Sequence, residues 1–102
     1  MRKIINKKMY DTDTARLLAE YETDYRVNDF RWYREELYRK QTGEFFLYGE
    51  GNADSQYAKR IYGNTWTSGK EIYPMSEEEA RVWAETCVDV DQYIAIFGEV
   101  EE

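Results

Sequence analysis

Histidine is absent from this sequence of 102 residues, and cysteine and proline occur once each. Without histidine, the chain lacks the commonest general acid or base of enzymes and the usual group that activates a nucleophile. The single cysteine, Cys87, excludes an internal disulfide and a cysteine-based zinc site. Its place on the apolar side of a predicted helix is typical of a structural thiol. We therefore expect no enzymatic activity, no bound metal and no cofactor.

Long apolar runs are missing as well, since no stretch approaches the roughly 18 residues that a membrane-spanning helix needs. No signal peptide is recognisable, and the near absence of cysteine is typical of a reducing compartment. A chain of this length buries about two-thirds of the surface that it exposes when unfolded, which is enough for one core. The sequence therefore predicts one domain over residues 1–102, cytoplasmic and without membrane association.

Aromatic side chains are abundant instead, with ten Tyr, four Phe and three Trp residues. A hydrophobic fraction of 42% argues against disorder. The polar atoms of so many Tyr and Trp side chains need water or a hydrogen-bond partner. Many of these side chains should therefore lie half-buried or at an interface.

Negative charge is concentrated at the C-terminal end. Residues 76–102 include nine acidic residues and one basic residue, a charge of −8, whereas the preceding 75 residues include 12 acidic and 13 basic residues, a charge of +1. Such an end repels nucleic acids and attracts basic surfaces, although the same pattern is typical of a solvated helical face that serves solubility. The candidate partner-binding residues of this acidic face are Glu77, Glu78, Glu85, Asp89, Asp91 and Glu99.

The densest apolar cluster predicts a long β-hairpin. Residues 32–40 and 44–50 have the composition of strands, and Gly43 can supply the positive φ that the turn between them requires. Residues 45–48 are apolar throughout, so the second strand should be the more central of the two.

Upstream of this hairpin, residues 2–6 and 7–10 predict a strand or a small hairpin that turns at Asn6 and Lys7. Residues 15–23 fit both strand and helix periodicities. We favour a strand there, because a sheet needs more than an isolated hairpin to be stable.

Downstream of the hairpin, the pattern predicts a short helix that begins at Asp54 or Ser55 and ends at Tyr62. Residues 65–69 are expected to form a loop around Trp66, followed by a brief strand over residues 70–73.

Two helices are predicted at the acidic end. Ser76 and Glu79 have the spacing of a capping box, and a buried stripe recurs at helical spacing in Ala80, Trp83, Ala84 and Cys87. A second helix begins at Asp89 or Asp91 and ends at Gly98, and its inward residues are Tyr93, Ile94 and Phe97. The predicted fold class is α+β, a small antiparallel β-sheet built around the long hairpin and packed with C-terminal α-helices.

The long hairpin also contains a secondary candidate surface, formed by Arg31, Arg34, Tyr38 and Arg39. Basic residues interleaved with aromatic residues can pair with phosphates and stack on bases, so a weak nucleic-acid binder remains an alternative. Nearby acidic residues and the net charge of −7 argue against it, because affinity for nucleic acids depends largely on phosphate neutralisation. The exposed edge of the hairpin is suited to pairing with another copy, so a homodimer is an alternative state.

A resemblance that spans nearly the whole chain is visible in four segments. They are YDTDTA at residues 10–15, ELYRKQTGEFFLYGEG at 36–51, PMSEEEARVWAE at 74–85 and FGE at 97–99. These segments resemble a family of small acidic proteins of Firmicutes plasmids, phages and conjugative elements. That family includes a type II-A anti-CRISPR protein, an inhibitor of Cas9. The resemblance assigns no functional residue to this sequence.

The resemblance implies an anti-CRISPR protein of the bacterial host cytoplasm that binds Cas9 or its guide-RNA complex. Cas9 holds its guide RNA and heteroduplex in a strongly positive channel. An acidic protein is suited to compete for such a surface and to hinder guide-RNA loading or target-DNA engagement. The alternative is an interaction module of the mobile element, unrelated to CRISPR, that binds another basic protein surface.

Overall fold

The computed structural model describes residues 1–101, which form eight strands and two helices. In chain order these are β1 (Arg2–Ile5), β2 (Lys8–Asp11), β3 (Arg16–Glu22), β4 (Tyr33–Arg39), β5 (Phe45–Gly51), β6 (Lys59–Tyr62), β7 (Thr65–Thr67), β8 (Gly69–Met75), α1 (Glu77–Cys87) and α2 (Val90–Phe97). The architecture is α+β, as predicted. Within the described residues, neither helix is long and apolar enough to cross a membrane.

Four strands form the main sheet in the order β3-β4-β5-β8, and every neighbouring pair is antiparallel. The predicted long hairpin is confirmed as β4 and β5, with Gly43 in its turn at a φ of +96°. The prediction of a strand over residues 15–23 is confirmed by β3. β4 and β5 are the interior strands of this sheet, because each has a neighbouring strand on both sides.

The β1–β2 hairpin covers one face of the main sheet. Its two-residue turn places Asn6 and Lys7 at φ values of +52° and +68°, the positive values that a type I′ turn requires at both central positions. The ring of Tyr10 on β2 meets the ring of Phe46 edge-on, with their centroids 5.6 Å apart. The sequence left open a strand or a hairpin at this end, and the structure has the hairpin.

The two helices cover the opposite face. Their core cluster consists of the buried residues Ala19, Leu37, Phe45, Leu47, Ala80, Trp83 and Ala84. The capping box is confirmed, since the Glu79 amide donates to Ser76 Oγ at 3.1 Å and the Ser76 amide donates to Glu79 Oε1 at 2.9 Å. In α2 the inward set differs from the prediction: Tyr93 and Phe97 pack against the core with Ile96, whereas Ile94 lines a groove between the helices.

The predictions for residues 54–69 are wrong. Turns occupy residues 53–57, and the chain then forms the β6–β7 hairpin in place of a helix and a loop. Tyr57 and Ile61 have the spacing of one helix face, but Tyr57 is buried against the sheet while Ile61 is exposed. Gly63, at a φ of +56°, lies in the first position of a two-residue loop, where glycine favours a hairpin turn.

Candidate protein-binding surfaces

The outer side of α1 presents unpaired carboxylates. Glu78 and Glu85 lie two helical turns apart, on the side opposite the buried residues Ala80 and Trp83. Both carboxylates are exposed, and among the described residues neither forms a hydrogen bond or an ion pair. They are therefore free to meet cationic groups of another molecule.

Of the other predicted acidic residues, two have carboxylates without a partner and two have carboxylates that are already bonded within the chain. Asp91 and Glu99 are exposed and have no partner within residues 1–101. Glu77 pairs with Arg81 at 3.2 Å, and Asp89 caps α2 by accepting from the Gln92 amide at 2.8 Å. The acidic face therefore depends mainly on Glu78, Glu85, Asp91 and Glu99.

A groove separates α1 from α2, with a volume of about 330 Å³. Its lining is mostly apolar and consists of Ala84, Glu85, Val88, Asp89, Val90, Tyr93, Ile94 and Val100. We call it the α1–α2 groove. Sequence reasoning missed it, although Val88, Val90 and Val100 are apolar residues outside the predicted inward stripes.

The secondary candidate residues do not form one free surface. The Arg31 guanidinium pairs with Asp29 at 3.0 Å, and hydrogen bonds from Arg31 lower the pKa of the Asp29 carboxyl to about 2. Arg34 is held by Glu50 and, at 3.0 Å, by Glu36.

Tyr38 and Arg39 lie on opposite faces of β4, because successive residues of a strand alternate between faces. Tyr38 is buried and donates to Glu36 at 3.0 Å. Arg39 is exposed, lies over the Phe45 ring at 5.0 Å and donates to the Gly43 carbonyl at 3.2 Å.

A second surface, which the sequence did not predict, is the β6–β7 hairpin. We call residues 59–67 the arm. Every residue of the arm is exposed, including Ile61, Tyr62 and Trp66. Exposed apolar side chains in a group of this kind mark an interaction site, and a two-stranded hairpin is at best marginally stable alone.

A buried carboxylate joins the start of the arm to the helices. Glu35 on β4 is only 8% exposed. It accepts a hydrogen bond from the Tyr57 hydroxyl and another from Trp83 Nε1 at 2.9 Å. Tyr57 comes two residues before the arm, and Trp83 belongs to α1. Glu35 therefore connects both candidate surfaces to the centre of the sheet.

Glycines make room for the segment that carries Tyr57. A Cβ atom on Gly49 would lie 1.9 Å from Cζ of Tyr57, and one on Gly69 would lie 2.1 Å from the Tyr57 carbonyl oxygen. These close approaches require glycine on β5 and β8. Gly49 lies within β5, where it clears a space on the sheet for the Tyr57 ring.

Cys87 is half-buried at the end of α1. Burial raises the pKa of its thiol, and the nearby Glu35 carboxylate raises it further. A thiol that stays protonated is a poor nucleophile, which fits the structural role predicted for it. Within residues 1–101, no group of three or more His, Cys, Asp or Glu side chains is placed to hold a metal ion.

Three tyrosines donate hydrogen bonds to carboxylates: Tyr38 to Glu36, Tyr48 to Glu50 and Tyr57 to Glu35. Burial, followed by the hydrogen bond to the carboxylate, raises the pKa of all three, that of Tyr48 to about 12. Because the folded state holds these protons more tightly than the unfolded state, the stability that they contribute is complete below pH ~10. It is lost as the pH rises towards 12.

We therefore expect the last part of the rise in tyrosinate absorbance during an alkaline titration to coincide with loss of the circular dichroism of the fold. This part comes from Tyr38, Tyr48 and Tyr57, whose pKa values the folded state raises. In denaturant, a single step near pH 10 is expected. A single step in the native protein, with the circular dichroism unchanged, would contradict the structure.

No protein-family model, curated protein or solved structure matches this chain. Function is therefore inferred from the surfaces described above and from the resemblance in the sequence.

Proposed function

We propose that this protein is a cytoplasmic anti-CRISPR protein that binds Cas9 through the acidic face of α1 and α2. Binding there occupies basic surface of Cas9 and hinders guide-RNA loading or target-DNA engagement. The observation that carries the proposal is the placement of Glu78 and Glu85, which are exposed and unpaired on the outer side of α1. The identity of the partner rests on the resemblance to the mobile-element family.

Electrostatics support this mode of action. Opposite charges steer two proteins together and raise the association rate by about 10- to 1000-fold at low salt. The half-buried apolar residues of the α1–α2 groove can add contact area beside the charges, since the fully buried centre of an interface is usually apolar. No chemistry on a substrate is required for inhibition of this kind.

Size-exclusion and gel-shift experiments with Cas9, with and without guide RNA, test the proposal directly. We expect a complex with Cas9 and loss of target cleavage at micromolar protein. Absence of a complex with either form of Cas9, together with full cleavage, would refute it. Comparing the two forms shows which step is blocked, because a protein that hinders guide loading should bind apo-Cas9 better.

Reversing the charge of the acidic face should weaken the complex. We expect the triple variant Glu78→Lys, Glu85→Lys, Asp91→Lys to lower the association rate for Cas9 by about 10- to 100-fold at low salt, with a smaller effect at high salt. The matched control reverses three exposed acidic residues elsewhere, Asp13, Glu20 and Asp24, and has the same net charge. Equal losses in both variants would indicate an effect of net charge alone and would argue against this binding face.

The alternative proposal keeps the same face and changes the partner. A module of the mobile element that is unrelated to CRISPR would bind another basic host protein. Affinity capture from a host that lacks Cas9 separates the two proposals, provided that the captured protein is lost with the acidic-face variant and retained with the control. The nucleic-acid alternative is less well supported, because Arg31 and Arg34 are already paired with carboxylates.

A further inference from the structure

The arm is the most exposed apolar element of the described chain. The side chains of Ile61, Tyr62 and Trp66 are 61%, 78% and 51% exposed. The arm has no third strand, because β6 and β7 pair only with each other. Such an element gains stability when a surface covers it.

The chemistry of the arm indicates what that surface is. Residues 55–70 include Lys59, Arg60 and Lys70 and no acidic residue, so the arm and its flanks have a charge of +3. The surface that covers it should therefore be apolar in its centre and acidic at its margin.

The α1–α2 groove of the same chain has this composition. Its floor is formed by apolar residues such as Val88 and Ile94, and its acidic residues are Glu85 and Asp89. A volume of about 330 Å³ has room for an aromatic side chain such as that of Trp66 and lies at the lower end of the usual range for binding pockets.

We propose that two copies of this chain form a dimer in which the arm of each copy docks in the α1–α2 groove of the other. Aromatic side chains of the arm enter the groove, and Lys59 and Arg60 lie beside Glu85 and Asp89. Because the same two copies exchange arms reciprocally about a two-fold axis, the assembly closes at two copies and does not grow into a filament.

This inference does not depend on the proposed partner. The dimer would nevertheless affect binding of that partner, because the dimer contact covers Glu85, which also belongs to the acidic face. Self-association and binding of a basic partner would then exclude each other, and dilution would favour the monomer that binds.

Light scattering and sedimentation of the purified full chain, without any partner, test the dimer. At about 0.05 M salt the wild-type protein should have the mass of two chains. At about 0.5 M salt the dissociation constant of the dimer should be at least about tenfold higher than at 0.05 M salt. The arm variant Lys59→Glu, Arg60→Glu and the groove variant Glu85→Lys, Asp89→Asn should each be monomeric. Asn is used at position 89 because it retains the capping oxygen.

Mixing the two variants gives the decisive measurement. The acidic arm of one variant now matches the basic groove of the other, and the unchanged arm and groove still match, so the mixture should form a heterodimer. Val90→Arg serves as a second groove variant that leaves the cap intact, and Arg2→Glu, Lys7→Glu is the charge-matched control for the arm.

Three results would overturn the proposal. The first is a monomeric wild-type protein up to about 500 µM at low salt. The second is a dimer that survives both groove variants, which would indicate pairing of two β7 edges. The third is a mixture of folded reversed variants that stays monomeric.

Discussion

Replacement of Glu35 by alanine is expected to lower the free energy of unfolding by about 3 kcal/mol. The Tyr57 hydroxyl and Trp83 Nε1 both donate to this carboxylate inside the fold. Each buried donor that loses its partner costs about 1–3 kcal/mol, and the removal of the side chain also leaves a cavity. The cost should exceed that of a typical surface substitution, which is within about 0.5 kcal/mol.

Denaturant unfolding followed by tryptophan fluorescence measures this effect. Glu35→Gln is the matched control, because its amide keeps an acceptor for one donor and a donor for the Tyr57 oxygen, and we expect a loss of only about 1 kcal/mol. A Glu35→Ala protein that is as stable as the wild type would show that the two donors find other partners or water, and it would remove Glu35 as the connection between arm and helices.

Gly49→Ala is expected to lower the free energy of unfolding by a similar amount, although it adds only one methyl group. The new Cβ would lie 1.9 Å from a ring carbon of Tyr57, and Tyr57 is 5% exposed and cannot swing into open solvent without leaving Glu35. Overpacking a core typically costs about 1–3 kcal/mol, and here we expect the upper end of that range.

A double-mutant cycle of Gly49→Ala with Tyr57→Ala tests whether the Tyr57 ring causes this loss of stability. When the ring is absent, Gly49→Ala should be neutral or stabilising, because glycine inside a strand is about 0.5–1 kcal/mol less favourable than alanine. The coupling free energy should therefore be about 3 kcal/mol. Additive effects of the two substitutions would mean that the backbone at Gly49, and not the Tyr57 ring, forbids a side chain.

Both predictions concern residues that the sequence did not mark as central. Glu35 stands in a run of three charged residues, Arg34, Glu35 and Glu36, and such a run is typical of an exposed segment. Its burial depends on Tyr57 and Trp83, which are 22 and 48 residues away in the chain. A pattern within one strand holds no information on such partners.

The error at residues 54–69 has the same origin. The spacing of Tyr57, Ala58 and Ile61 fits one face of a helix, but a local pattern does not show which side chain will be buried. Once Glu35 and Gly49 offer Tyr57 a place on the sheet, the next residues leave the surface as the arm. Gly63 follows directly after Tyr62, and a glycine at such a position fits the end of a helix as well as a hairpin turn.

The acidic face, by contrast, could be located from the sequence, but the sequence did not show which of its carboxylates are free and which are already paired. Charge counting placed the carboxylates at the C-terminal end, and the helical period predicted the two helices that the structure has there, α1 and α2. Only the structure showed that Glu77 pairs with Arg81 and that Asp89 caps α2, while Glu78 and Glu85 are free. Ion pairs and caps depend on side-chain positions that a composition does not contain.

The sequence by itself determined the α+β class, the long hairpin around Gly43, the capping box at Ser76 and the acidic end, because each depends on neighbouring residues and on periods of two or 3.6. The tertiary structure alone decided that Glu35 is buried, that Gly49 must lack a side chain, that an exposed basic arm emerges from the sheet and that an acidic-margined groove separates the helices. These features depend on contacts between segments far apart in the chain, which become defined only when the sheet brings them together.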